Sequence, residues 1–211
     1  DMLEVVSRLS RHLTKPDERL MKQAKRVIQC LYHTREKGTY FKARKNNAFN
    51  ASNLHELQIN AYFDADYAGD QDDRRSQSGV LIYLNDNLVY AKSEKGKWIC
   101  WSSFEAETAA GALACKKVLC VRKLLAEMCQ VKPTKVVTPQ LCGDNQAMVM
   151  TAHSGNYEGR SKHVDVRFYG LSERVQADDL RLSHIRRELN VADLLSHNPK
   201  PDDFERLIGR I

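Results

Sequence analysis

Apolar positions recur at helical spacing in residues 17–33, DERLMKQAKRVIQCLYH, where Leu20, Ala24, Val27, Ile28 and Leu31 form one stripe. Pro16 precedes this segment, and Asp17 and Glu18 stand in its first turn, where the helix dipole favours acids. The stretch 42–56, KARKNNAFNASNLHE, is polar and Asn-rich and has no such rhythm. It reads as a linker, which divides the chain into a helical segment, 1–55, and a larger domain, 56–211. The pattern then changes to a period of two. Leu57, Ile59, Ala61 and Phe63 alternate in LQINAYFD, a strand. The charged turn DQDDRRSQSG leads to a second strand, GVLIYL, and Asn85, Asp86 and Asn87 make a tight turn into LVYAK. A third pairing segment, KWICWSS, ends at Ser102 and Ser103, so three consecutive strands with short links form an antiparallel meander.

The helical period returns over about 104–128, with Ala106, Ala109, Ala110, Leu113, Val121, Leu124, Leu125 and Met128 on the apolar side. KVVTPQLC reads as a buried strand, NQAMVMTAH and SKHVDVRFYGLSERVQ as helices, DLRLSHIRR as a strand, and NVADLLSH as the start of a last helix. The order β-β-β-α-β-α-α-β-α predicts an α/β fold: a mixed five-stranded sheet flanked by helices.

Four acids fall where these elements begin or end: Asp64 in AYFDAD, Glu107 in SSFEAET, Asp144 in LCGDNQA and Asp193 in NVADLLS. In sheets of this type ligands gather beyond strand ends and at helix starts. Brought together, four carboxylates make a hard oxygen site that suits Mg²⁺. Two such ions activate a water and stabilise a leaving oxygen on a phosphate, which is nuclease chemistry. Each acid also has an ordinary local use. Asp64, with Asp66 two residues on and facing the same way, can hydrogen-bond backbone at a strand end. Asp144 can cap the helix it opens, and Asp193 can partner Asn190 in a first turn. Glu105 belongs to a capping box with Ser102 and lies about 200° around the helix from Glu107, so the two cannot serve one site. Asp70, Asp72 and Asp73 sit in the charged turn beside Arg74 and Arg75 and read as solvated.

The 33 Lys and Arg against 27 Asp and Glu leave a formal charge of +6. A basic surface around an acid cluster would attract a polyanion to the metals that cut it. Cys30, Cys100, Cys115, Cys120, Cys129 and Cys142 contain no C-x-x-C pair, which implies free thiols in a reducing, intracellular setting without a zinc site. No membrane span, signal peptide, G-x-S-x-G elbow or Walker loop is evident, and no small-molecule cofactor is expected. The opening residue, Asp1, implies a piece of something longer. His163 and His184 could meet phosphate or move protons, whereas His12, His33, His55, His153 and His197 form no spaced metal motif.

The runs YFDADYAGDQDDRRSQSGVLIYL, WSSFEAETAAGALA, CGDNQAM and GRSKHVDVRFYGLSERV resemble the ribonuclease H domain of copia-type LTR retrotransposon Pol polyproteins. The upstream VSRLSRHLTKP and AKRVIQCLYHTREKGTYF resemble the connection segment that follows the reverse transcriptase there, so the resemblance covers almost the whole chain. It implies a ribonuclease H fold, two Mg²⁺ ions with Mn²⁺ as an admissible substitute, and cleavage of the RNA strand of an RNA–DNA hybrid beside the reverse transcriptase portion of the same polyprotein. It places the catalytic and metal-holding roles on Asp64, Glu107, Asp144 and Asp193: Asp64 bridges both ions, Glu107 and Asp144 hold the one near the leaving group, and Asp193 helps hold the one that activates water. The chain departs from the family pattern at Phe104 and Thr108, which flank EAE, and at Ser196-His197, where the family commonly has Thr-Lys. Asn145 and Gln146 are placed to read 2′-hydroxyls in the shallow minor groove of a hybrid. Arg74, Arg75, Arg160 and Lys162 are candidates for phosphates. The competing expectation is a catalytically silent module of the same fold that binds nucleic acid or scaffolds. An integrase-like strand transferase fits less well with four acids in this order.

Overall fold

In the computed structural model the described residues are 2–43, 51–155, 162–197 and 200–209. The first helix, α1 (Leu3–Leu9), is one that the hydrophobic pattern does not announce. It is only seven residues long and holds its place by packing against the third strand and a short helix near the end of the chain. A single 3₁₀ turn (Ser10–His12) links it towards α2 (Glu18–His33), which Asp17 caps by accepting from the Leu20 amide at 2.7 Å. The stripe read in the sequence is present on α2, yet none of its residues is buried: Ile28 is 66% and Leu31 53% exposed.

The linker expected over 42–56 contains the 3₁₀ turn Leu54–Glu56, and Leu54 is fully buried in the core. Three antiparallel strands follow: β1 (Ile59–Asp66), β2 (Gln77–Leu84) and β3 (Asn87–Lys95). The third strand of the meander is therefore the one beginning at Asn87, and KWICWSS is irregular. The Gly96 amide bonds the Ser76 carbonyl at 2.8 Å, ending the ladder, and the chain turns away towards the next helix.

That helix is α3 (Ser103–Met128), capped by Ser102, whose Oγ accepts from the Glu105 amide at 3.1 Å. The second half of the expected capping box is shifted by one residue, because the Glu105 carboxylate accepts from the Trp101 amide at 2.7 Å. β4 (Gln140–Gly143) is shorter than KVVTPQLC suggests. Pro139 has no N–H to give a ladder, although its carbonyl accepts from Arg181. Then come α4 (Gln146–Ser154), α5 (Lys162–Gln176), β5 (Arg181–His184), the short α6 (Asp193–Ser196) and α7 (Pro201–Ile208), so the single last helix of the sequence pattern is two.

The strands lie in the order β3-β2-β1-β4-β5, with β1, β4 and β5 parallel. This is the mixed five-stranded sheet the pattern calls for. One face packs Ile59, Ala61, Phe63, Val80 and Ile82 against Ala110, Ala114 and Val118 of α3 and Phe168 of α5. The other face carries a smaller apolar cluster, in which Leu81 and Tyr83 meet Val191 and Leu195 beside α6. All six cysteines are free, with Cys100, Cys115 and Cys142 buried. Among the described residues no helix is long and apolar enough to cross a membrane.

Candidate active site

Two close approaches of backbone to side chain assemble the site. A Cβ at Gly79 would stand 2.6 Å from the Ala192 carbonyl oxygen and 2.9 Å from the Leu195 Cβ, so α6 can lie on β2 only because this residue has none. Gly79 pairs with Asp64 in the ladder, and Asp193 opens α6, so this approach sets Asp193 beside Asp64. A Cβ at Gly143 would meet the Phe63 ring at 2.3 Å, so the end of β4 lies flush against β1 and delivers Asp144. Asn190 fastens the third side. It is fully buried, and its Nδ2 donates to the Phe63 carbonyl at 2.9 Å while its Oδ1 accepts from the Ala192 amide. Glu107 arrives from the first turns of α3, where its neighbours Ala106, Thr108, Ala110 and Gly111 are all buried.

The four acids of the sequence reading come together. Ligand oxygens of Asp64, Glu107 and Asp144 lie within 4.8 Å of one another, and so do ligand atoms of Asp64, Asp193 and His197. Asp64 is common to both groups. The capping uses expected of Asp144 and Asp193 are not what these side chains do. Asn145, not Asp144, caps α4, accepting from the Met148 amide at 3.0 Å. Ala192 stands at the cap position of α6, and no side chain caps that helix.

Burial pushes Glu107 well above the ordinary carboxylate range, and Asp64 and Asp144 push it further, against one bond from the Ala65 amide. Burial and then Asp64 raise Asp144. Burial and Asp64 raise Asp193 to about 7, with His197 and Arg187 pulling the other way. Asp64 differs. Burial raises it, but bonds from His197 and Ser196 outweigh that and hold it below its usual value. Glu107 Oε2 and Asp193 Oδ1 are buried and have no hydrogen-bond partner among the described residues. Such atoms carry a full desolvation cost. Two orphaned carboxylate oxygens in a nest of carboxylates fit a divalent cation, which would reverse the mutual repulsion.

Two residues complete the site that the sequence offers only as a departure from the family pattern, and His197, which belongs to no spaced metal motif, lies in the cluster nonetheless. The Ser196 hydroxyl donates to Asp64 Oδ2 in a very short contact. The His197 ring lies between two acids, Nδ1 at 3.7 Å from Asp64 Oδ2 and Nε2 at 3.7 Å from Asp193 Oδ2. The available signal was spacing: His197 follows Asp193 by four, the interval at which helix neighbours meet.

The remaining candidates are spread more widely. Asn145 spends its Oδ1 on the cap, and Gln146 is exposed beside it. Arg74 is exposed in the turn at a φ of 58°, and Arg75 Nε is 3.4 Å from Asp73. Arg160 lies outside the described residues, as do the side chains of Lys162 and His163. His184 donates from Nε2 to the Asp144 carbonyl at 3.1 Å. Asp70 is not solvated as the sequence suggested. Its side chain accepts from Arg11 at 2.6 Å and Lys95 at 2.8 Å, and its Oδ1 from the Asp72 amide at 3.0 Å.

No family model matches the chain. It is 30% identical over 218 residues to the retrovirus-related Pol polyprotein from transposon RE2 of Arabidopsis thaliana, which covers all of this chain and 14% of that protein. The polyprotein from transposon RE1 of the same plant is 28% identical over 211 residues, again all of this chain and 14% of the relative. The chain thus spans about a seventh of the length of these relatives. Among solved structures, LC11-RNase H1 isolated from compost superposes with a TM-score of 0.50 at 19% identity, covering 66% of this chain and 92% of that one. The fold is that of ribonuclease H.

Proposed function

The chain is homologous, along its whole length, to a segment of the retrovirus-related Pol polyproteins of copia-type transposons, and on that premise we propose that it is a metal-dependent endonuclease that hydrolyses the RNA strand of RNA–DNA hybrids during reverse transcription. The observation that carries this reading is the convergence of Asp64, Glu107, Asp144 and Asp193, with buried, unpartnered oxygens on Glu107 and Asp193. Asp64 belongs to both ligand groups, so it would help hold both ions, one with Glu107 and Asp144 and the other with Asp193. Two Mg²⁺ ions there would supply an activated water and charge stabilisation for the leaving oxygen.

The chain's own residues orient and select. Ser196 and Asn190 fix α6 against β1, and so fix the separation of Asp64 from Asp193. Buried walls around Glu107 exclude water and strengthen every charge interaction inside the site. Gln146 and the amide nitrogen of Asn145 are offered to 2′-hydroxyls, and Arg74, Arg75, Arg160 and Lys162 to phosphates. Residues 1–55 serve as the connection to a reverse transcriptase portion of the same polyprotein.

A second reading has one observation in its favour. Ser196, His197 and Arg187 stand against Asp64 and Asp193 and answer part of their charge, as a silent hybrid-binding module would need. One assay decides between the two. With Mg²⁺, a labelled RNA–DNA hybrid is cut and duplex DNA survives, while Asp64→Asn and Asp144→Asn bind hybrid without cutting it. A wild-type chain that binds hybrid and leaves it whole with Mg²⁺ and Mn²⁺ is the silent module.

A further inference from the structure

The two ligand groups that share Asp64 are chemically unlike. Asp64, Glu107 and Asp144 offer only oxygen, whereas Asp64, Asp193 and His197 add a nitrogen. Resting on the reading of this cluster as a divalent-ion site, we propose that His197 is a metal ligand through Nε2, and that its half of the site prefers a first-row transition ion to Mg²⁺.

The hydrogen bonds around the ring decide which nitrogen is available. Ser196 has one hydroxyl proton, and it is directed to Asp64 Oδ2, with the Asp193 carbonyl a more distant second acceptor at 3.3 Å. Towards His197 Nδ1, 3.1 Å away, the same oxygen can therefore only accept. Nδ1 keeps its proton between that oxygen and Asp64 Oδ2, so the nitrogen that gives up a proton to an ion is Nε2, which faces Asp193. Metal-bound histidines are held in this way, with the second ring N–H given to a neighbouring acceptor that fixes tautomer and ring orientation. Spacing agrees as well. Ligands about 2.1 Å from a small octahedral ion stand roughly 3 to 4.2 Å apart, and Nε2 is 3.7 Å from Asp193 Oδ2. Asp193 is 6% exposed and its Oδ1 has no partner, so the carboxylate next to the ring still has an oxygen to give.

Imidazole is the ligand of transition ions, and Mg²⁺ is satisfied by carboxylate and water. Replacing one oxygen position by His197 thus lowers the affinity of that half-site for Mg²⁺ relative to Mn²⁺, while the Glu107–Asp144 half keeps a magnesium character.

The test uses the full chain, without nucleic acid, loaded with one equivalent of Mn²⁺ and read by pulsed electron paramagnetic resonance. The expected spectrum shows coupling to a directly bound imidazole nitrogen. It persists in His184→Gln, whose ring sits beside Asp144, and vanishes in His197→Gln. Titration should show Mn²⁺ affinity reduced about 10-fold or more in His197→Gln and, through the lost Nδ1 acceptor, about 10-fold in Ser196→Ala. Mg²⁺ affinity should change less than about 2-fold. Mn²⁺ bound with no nitrogen coupling in the wild type overturns the assignment, and so does coupling that survives His197→Gln, or no binding at all. The wild-type spectrum decides even if a variant fails to fold. Nitrogen coupling in a chain that never cuts hybrid would remove the nuclease reading and leave His197 a ligand. Cutting with Mg²⁺ and no coupling would do the reverse.

Discussion

Asp64 and Asp70 stand six residues apart, and each is the centre of an acid cluster at the same end of β1. Around Asp70 the buried charge has been answered. Arg11 and Lys95 reach its carboxylate, Lys95 also reaches Asp73 at 2.8 Å, and the amides of Asp72 and Asp73 donate to it. Burial acts against it, yet the Lys95 bond and those amides hold Asp70 far below the ordinary carboxylate range. Around Asp64 the charges are left in excess. Glu107, Asp144 and Asp193 are all pushed up, first by burial and then by Asp64 or one another, and two of their oxygens have no partner. A carboxylate placed for the fold is given donors. A carboxylate placed for a cation keeps an oxygen clear of them, as Glu107 and Asp193 do, and the fold tolerates the repulsion.

Mirror substitutions give the sharpest separation. Glu107→Gln should lower hybrid cleavage by about 10³-fold, roughly 4 kcal/mol of transition-state stabilisation. It should leave the metal-free melting temperature unchanged or higher, because a repelled acid becomes a neutral amide. Asp70→Asn should do the opposite. It costs about 2 kcal/mol of stability, since Arg11 and Lys95 lose their shared partner, and cleavage at a temperature well below melting changes by only a few-fold. Denaturant titration and the cleavage assay read both. Equal losses of stability from the two variants would erase the distinction.

Titration gives a smaller but signed effect. Asp193 holds its proton up to about pH 7 in the folded chain and releases it near 3.9 when unfolded. Between those values the folded state binds more protons, so stability falls as pH rises through the window. His197, raised by its bond to Asp64, acts in the same direction, its contribution disappearing as pH climbs past its folded value. Asp70 is lowered, so its contribution is present above about 3.9 and is lost on acidification. The metal-free melting temperature should therefore be highest near pH 4–5 and decline towards 7 by several degrees, at about 2–4 °C per kcal/mol for a chain of this size. Asp193→Asn should flatten that decline. Saturating Mg²⁺ should reverse it, because the ion binds the ionised acids. A decline that persists unchanged in Asp193→Asn would place its source elsewhere.

How far this contrast could be read from sequence depends on which forces set it. The alternating strands, the 26-residue α3 and the four acids at element ends were legible because period and position carry them. What α1 does was not, because seven residues have little periodicity and its place is fixed by tertiary packing. KWICWSS reads as a strand because its residues suit one, yet Gly96 and the cap at Ser102 decide otherwise. Asp70, Asp72 and Asp73 look alike in DQDDRR, and only the arrival of Arg11 and Lys95 from distant segments makes Asp70 structural. Asn190, Ser196 and His197 were hidden for the same reason. Their partners Phe63 and Asp64 lie more than 120 residues back in the chain.

The weakest expected effect concerns the arginines of the turn between the two clusters. Arg74 is exposed with no ion pair among the described residues, whereas Arg75 already faces Asp73 at 3.4 Å. A free guanidinium exchanges counterions for a substrate phosphate, and a paired one must first give up its acid. Arg74→Ala should therefore raise the dissociation constant for hybrid about 2- to 4-fold near 0.1 M salt and reduce the slope of log affinity against log salt by roughly 1. Arg75→Ala should do less on both counts. The backbone is not a confounder at position 74, because Arg and Ala carry the same Cβ at a φ of 58°. Equal slopes for wild type and Arg74→Ala would mean that the hybrid passes on the other side of Asp64, and the Asp70 cluster would then be a support for the turn without any part in binding.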